Sequence, residues 1–483
     1  MNVPVLVGVA QHTTRPPGPA PEPLESWEAM TRAAVADSGV SGLLEALDSV
    51  QVVYCQTWPY DAPVDRLVER LGISPEHRLY SGIGGTTPQQ LLNAAAEKIL
   101  AGTSRAALVV GAEALATVRQ LKKAGERPQW SHRDPEKKPF PFEAVPHKAE
   151  IAHRLFQAWE TFPLFDTARR AKLGVGLDDY ATSIGRMMSP MTARAKANPE
   201  AWFPVERSAE ELATATPANR YVGWPYTKYE VSVMDVDMAA AAIIVGSDLA
   251  DSLGIAEDKR TYLSGWAYAN DVWTVAERDD MATSPAMAAV FAAALEMAGD
   301  PEVTAFDLYS CFASSLHLAC DALGIDPLDP RGLTVTGGLP FAGGPASNYM
   351  LHSIVTMAEH LRAAPGTGLT TGVGMHMTKH VAGVWSSTRP AAAPVPVTLE
   401  PDLGQVRAVH VTAEGPATVV AMTSAHGREG TPESVLVVAE LPDGSRCYAR
   451  TSDEALMKDA LSRELIGEAV TLTNDGKTTS VAW

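Results

Sequence analysis

Apolar positions along this chain fall into two alternating kinds of segment. Residues 5–10, 50–55, 106–110 and 238–246 are short and largely apolar, the composition of strands buried on both faces of a sheet. Between them, residues 23–38 and 89–100 carry apolar positions at helical spacing and stop at Gly39 and Gly102. Alternating strands and helices predict parallel strands joined by right-handed crossovers. The succession then recurs: residues 261–268 form a strand pattern, 284–298 a helix, 305–308 a strand, 316–323 and 346–362 helices, and 368–373 opens the last core strands. Two α/β halves of similar design are expected, within residues 1–260 and 261–388, from element order and without a strict repeat.

Two stretches break this pattern. Residues 117–232 are rich in proline, hold Trp130, Trp159, Trp202 and Trp224, and carry little strand signal. Their first part, 117–172, has twelve lysines and arginines against seven acidic residues. Such an insertion suits a phosphorylated ligand held by basic side chains, with a ring against a purine; it equally suits a solvated loop domain with its own small core. After the proline-rich linker 389–396, strand-like alternation returns at 405–412, 417–423, 434–441 and 469–473. A hairpin signal at Pro442-Asp443-Gly444-Ser445 and one helix at 453–462 complete a third unit, 397–483, expected as a small β-barrel of the OB type.

Composition narrows the class. The 483-residue chain is too long for one core; 46% apolar and 20% charged residues fit a globular protein. A net charge of −18 argues against a general nucleic-acid or anionic-membrane surface. Cys55, Cys311, Cys320 and Cys447 form no CxxC pair, so they predict reduced thiols and no zinc site. Residues 1–10 show no basic leader and no run long enough for a signal peptide, and no apolar run approaches the ~20 residues of a membrane span. A cytoplasmic protein is expected.

Four motifs carry the chemistry. Gly82-Ile83-Gly84-Gly85-Thr86-Thr87-Pro88-Gln89 precedes an alanine-rich helix. Asp235-Val236-Asp237-Met238-Ala239-Ala240-Ala241 opens a strand, and Tyr309-Ser310-Cys311-Phe312 follows another. Gly337-Gly338-Leu339-Pro340-Phe341-Ala342-Gly343-Gly344-Pro345 leads into a helix and is followed by Thr370-Thr371-Gly372-Val373-Gly374. In order and spacing, residues 1–388 resemble a subunit of the thiolase superfamily, nearest the sterol-carrier-protein type and its bacterial thiolase-like relatives. The resemblance implies a layered αβαβα arrangement of duplicated halves. It also implies a homodimer formed through the N-terminal half, an implication the additional C-terminal domain puts in question. That domain is a candidate surface for a protein partner.

The departures from the family matter as much. The resemblance places the nucleophilic cysteine at Gly84 or Gly85, the Gly-His-Pro histidine at Gly344 and the second cysteine at Thr370. Glycine attacks nothing, and an unaided threonine hydroxyl is too weakly acidic to move an α-proton. Thiolysis or condensation through a cysteinyl thioester is therefore not expected. The residual catalytic candidates are Tyr309, Cys311, Tyr349 and His376, each with an ordinary packing role as the alternative. His376 and His380, four apart, supply two ligands, which make no metal site. Lys122, Lys123, Lys137 and Lys138 are the candidates for a CoA phosphate. Three functions follow: an acyl-CoA or lipid binder that uses the room left by the glycines, a non-covalent acyl-CoA enzyme such as a retro-aldolase, or a pseudo-enzyme scaffold. No cofactor is required by any of them.

Overall fold

A computed structural model of the chain describes residues 1–136, 141 and 143–483. The first half contributes strands β1 (Pro4–Thr13), β2 (Ser49–Val52), β3 (His77–Tyr80) and β4 (Ala106–Ala114), with helices α1 (Pro23–Asp37), α2 (Pro63–Leu71) and α3 (Thr87–Leu100). The insertion holds helices α4 (Leu115–Lys123), α5 (Lys148–Ala152), α6 (Ala158–Leu173), α7 (Leu177–Ala197) and α8 (Ala209–Ala213), and short strands β5 (Tyr221–Gly223) and β6 (Tyr226–Thr227). Strand β7 (Asp237–Gly246) and helix α9 (Ser247–Leu253) close this half. The second half comprises β8 (Thr261–Asn270), α10 (Pro285–Met297), β9 (Ala305–Asp307), α11 (Ala313–Leu323), α12 (Leu339–Ala342), α13 (Tyr349–Ala363), β10 (Thr367–Gly374) and β11 (Lys379–Ser386).

Nine of these strands form one sheet in the order β3-β2-β4-β7-β1-β8-β11-β10-β9. Counted outward from the β1–β8 seam, each half places its first strand innermost, its last strand next and its penultimate strand third. The duplication inferred from element order is therefore a duplication of topology. Only Val5↔Tyr262 and Leu6↔Thr261 pair across the seam.

The layers follow from side-chain alternation, because successive strand residues point to opposite faces. In β4, Ala106, Leu108, Val110 and Ala112 join the cluster beneath α1 and α2, whereas Ala107 and Val109 join the one around α3 and α13. Strand β7 divides likewise, Ile243 and Val245 outward and Ala242 and Ile244 inward. Both faces are apolar, which is why these strands read as unbroken hydrophobic runs. Helices α3 and α13 touch each other and both sets of strands, and α10 packs outside β8 and β11. The five layers are α1/α2, the first strands, α3/α13, the second strands, and α10/α11.

The C-terminal unit contains β12 (Val409–His410), β13 (Gly415–His426), β14 (Pro432–Glu440), β15 (Arg446–Thr451), α14 (Glu454–Ala460), β16 (Ala469–Asn474) and β17 (Thr479–Ala482). Its ladders run β13–β14–β15–β17–β16 and return to β13, with a single residue pair, Arg450↔Ser480, between β15 and β17. The strand expected over 405–412 shrinks to two residues, because the main chain at Arg407 bonds to Glu277 of the second half instead. The insertion is joined to this unit: β5 pairs with β13 through Gly223↔Ala425. A side chain at Gly223 would run into the Trp159 carbonyl, so only glycine allows that approach. Among the described residues, no helix is long and apolar enough to cross a membrane.

Candidate functional site

Gly84, Gly85 and Thr86 link β3 to the N-terminus of α3, the corner where the resemblance places a nucleophile. Gly84 has φ 132°, a backbone conformation that side chains rarely adopt. A Cβ on Gly85 would stand 2.5 Å from Cζ of Tyr309 and deeper still inside its hydroxyl. Tyr309 thus fills the space a nucleophilic side chain requires. Its backbone N–H donates to Thr371 Oγ1 at 2.9 Å, and its ring meets Tyr349 edge-on at 5.6 Å. Burial raises the phenol pKa well above its ordinary value. At Gly344 the space of the expected histidine is taken by Ser232 Oγ, with Val233 O 3.3 Å from where a Cβ would lie. The room expected from these glycines is therefore filled by the protein itself, a correction to the sequence-based picture.

The other sequence candidates separate. Thr370 lies in the central layer, where its hydroxyl donates to Gln89 at 3.2 Å and accepts from Trp385 Nε1 at 2.9 Å. Gly372 is the residue of that strand beside the corner: a Cβ there would lie 3.1 Å from Gly85 O. Tyr349 is fully buried, donates to Asp307 at 3.1 Å and lies 2.7 Å from Thr336 Oγ1. Cys311 Sγ lies 3.2 Å from Ser315 Oγ, and burial pushes the thiol up to about 12. His376 sits in the turn after β10; burial, aided by the Arg278 charge, pushes its imidazole down to about 4, leaving it neutral at physiological pH.

One cation at the corner was missed. Lys379 Nζ is 2.6 Å from Glu143 Oε1 and 3.5 Å from Ile83 O, its side chain only 3% exposed. A Cβ on Gly84 would stand 3.6 Å from that amine. The signal was present: a lysine opens the otherwise apolar run His380-Val381-Ala382-Gly383-Val384-Trp385. Its neighbour His380 faces the opposite way, toward Asp271 Oδ2 at 2.9 Å and Ser284 Oγ at 3.2 Å.

Beside the closed corner lies an open cleft. Strands β2, β3 and β4 run parallel, and the chain leaving their carboxyl ends borders a cavity of about 710 Å³. Crevices at the carboxyl ends of parallel strands are where α/β sheets bind ligands. Tyr54 and Cys55 follow β2, Tyr80 and Ser81 end β3, and Tyr60, Arg133, Glu136 and Pro141 complete much of the wall. The rings of Tyr54 and Tyr80 lie 5.6 Å apart. Behind Cys55, Glu113 at the end of β4 accepts from the N–H groups of Gln56 (2.8 Å) and Thr57 (2.9 Å) and from the Thr57 hydroxyl. Burial pushes this carboxyl up to about 7. The Cys55 thiol, 4.0 Å from it, is raised well above its ordinary value, first by burial and then by the Glu113 charge.

Lys122 and Lys123 are exposed at the last turn of α4 and do not line the cleft. Lys137 and Lys138 lie outside the described residues, between the cleft-lining Glu136 and Pro141. Among the described residues, no group of three His, Cys, Asp or Glu is placed to hold a metal ion.

Comparison with known proteins agrees with this architecture. Residues 394–477 match the model of the thiolase-like protein type 1 additional C-terminal domain. The structure of a monomeric SCP2-thiolase-like protein type 1 from Mycobacterium smegmatis is 30% identical, with a TM-score of 0.86 over 99% of this chain and 98% of that one. An acetyl-CoA acetyltransferase from Syntrophomonas wolfei is 17% identical, with a TM-score of 0.58 over 80% of this chain and all of the other. The Ltp2–ChsH2(DUF35) aldolase is 14% identical, with a TM-score of 0.61 over 80% of this chain and 97% of that one. The last two show the shared fold alone. A comparison with curated proteins found no match.

Proposed function

The chain belongs to the SCP2-thiolase-like protein type 1 family, and from that premise we propose that it binds an acyl-CoA-type thioester non-covalently and performs no thiolysis. The observation that carries this is the pairing of a filled corner with an open cleft. Tyr309 excludes any nucleophilic side chain at Gly85, while about 710 Å³ lies free at the ends of β2, β3 and β4. The volume falls within the range of small-molecule sites, roughly 300–1,000 Å³. Tyr80 offers an apolar face to an acyl chain or a purine, and Lys137 and Lys138, next in sequence to Glu136 of the wall, are proposed to supply charge for phosphate.

Calorimetric titration with CoA and acyl-CoA thioesters tests this. Micromolar affinity that varies with the acyl chain and weakens in Tyr80→Ala supports the site. No heat with any of them leaves the scaffold role. We further propose a cytoplasmic location and a monomer, the latter as the Mycobacterium smegmatis relative is described; size-exclusion chromatography with light scattering checks its mass.

A second reading, the non-covalent lyase, is favoured by Lys379. This reading requires Tyr309 to withdraw from the corner; Glu143 would then take the proton of a β-hydroxyl, the Lys379 ammonium would stabilise the thioester enolate left by C–C cleavage, and the proton on Glu143 would return to the enolate carbon. Turnover of β-hydroxyacyl thioesters, lost in Lys379→Met, would favour it over simple binding.

A further inference from the structure

The additional C-terminal domain grips one loop of the second half through main-chain carbonyls. Arg446 of β15, its side chain 6% exposed, donates through its guanidinium to the carbonyls of Ala276, Arg278 and Asp279. Tyr448, two residues on, accepts from the Ala276 N–H at 3.0 Å, and Arg407 pairs with Asp279 at 2.7 Å. One planar guanidinium across three carbonyls fixes the course of the backbone in a way a point charge does not.

The gripped loop presents Arg278 to the turn between β10 and β11. Arg278 is buried beneath the Phe165 ring, its guanidinium 4.8 Å from the ring centre. Its Nη2 donates to His376 O at 2.9 Å and approaches Thr378 Oγ1 at 3.4 Å, and its Nε donates to Val272 O at 3.1 Å. A backbone bond from Asp271 N to Thr378 O (2.8 Å) holds the same turn. The turn needs holding. Met375 and Met377 have φ values of 55° and 56°, a left-handed conformation unfavourable for unbranched, non-glycine side chains. The residue after it is Lys379, whose amine reaches the corner.

We infer that the additional domain is the positioning element of this corner: Arg446 sets the 275–279 loop, Arg278 transmits that setting to the strained 375–378 turn, and the turn places Lys379. This assigns the domain a task inside its own chain, independent of which thioester, if any, occupies the cleft.

Amide hydrogen exchange on the full-length protein tests the chain of contacts link by link. Arg446→Met is expected to speed exchange about tenfold at 275–279 and again at 375–380, with α1 unchanged. Arg278→Lys, which cuts only the second link, is expected to speed exchange at 375–380 and leave 275–279 as it was. Should Arg446→Met fail to fold, Arg407→Ala, at a half-exposed pair on the same loop, gives the same pattern at smaller amplitude. If 275–279 loosens in the Arg446 or Arg407 variant while 375–380 stays protected, or if Arg278→Lys alters both segments equally, the inference is overturned. Unfolding midpoints measured in parallel separate a local loosening from a general loss of stability.

Discussion

The corner at Gly85 and the cleft at Cys55 lie in the same half of the molecule, each in a loop leaving a parallel strand, yet one is packed shut and the other open. At the corner the walls come from the second half: Tyr309 and Lys379 reach across the central layer into the places where the glycines have no side chains. At the cleft, Tyr54, Tyr60 and Tyr80 come from the first half and Arg133 and Pro141 from the insertion, and among the described residues no second-half side chain lines it. The contrast teaches that a loop of glycines does not by itself create a binding site. Interiors are close-packed, so a vacated volume is refilled when any neighbouring element can reach it.

The largest expected effect comes from forcing the corner open. Gly85→Ala should lower stability by about 3 kcal/mol, because the added methyl meets both Tyr309 and Val373 O. In a Tyr309→Ala background the same change should cost about 1 kcal/mol less, as residues in contact do not behave additively. Denaturant unfolding of the four proteins decides; strict additivity would mean that Tyr309 is not what fills the site.

Next comes the acid behind the cleft. The ordinary value for Glu113 is 4.5 and the folded value about 7. Between these the folded state binds more protons than the unfolded one, so the Glu113 contribution to stability falls as pH rises through that window and is level above it. The difference between wild type and Glu113→Gln should therefore shift by roughly 3 kcal/mol against wild type from pH 4.5 to 7. A flat difference would place the carboxyl in water rather than behind Cys55.

Smaller effects sharpen the comparison. Tyr80→Ala should weaken acyl-CoA affinity by about 1–2 kcal/mol through the lost aromatic face, with a smaller loss of stability, whereas Ser232→Ala, beside the filled space at Gly344, should leave affinity unchanged. Equal losses from both would move the ligand to the filled glycine turns. Charge reversal at Lys122 and Lys123 should weaken binding by less than about threefold, since both are exposed and away from the cleft wall; a larger loss would bring the end of α4 into the ligand site.

Strands buried on both faces, helices ended by glycines and the duplicated order of the halves were all legible in the residues. Each depends on local periodicity or on which atoms a residue possesses, and neither needs a partner to be known. What fills Gly85 was not legible, because Tyr309 is far away in sequence and reaches the corner only once the segment after β9 has folded against the loop that precedes α3. Lys379 was hidden similarly: its buried pairing with Glu143 exists only because Glu143, inside the insertion's basic stretch, lies back against Gly82. The task of the additional domain was invisible for the same reason, since Arg446 acts on carbonyls, which every residue has and no motif marks. Composition and periodicity determine which chemistry a chain can hold and which faces it must bury; only the tertiary packing decides which volumes stay empty, because that depends on side chains arriving from elements distant along the chain.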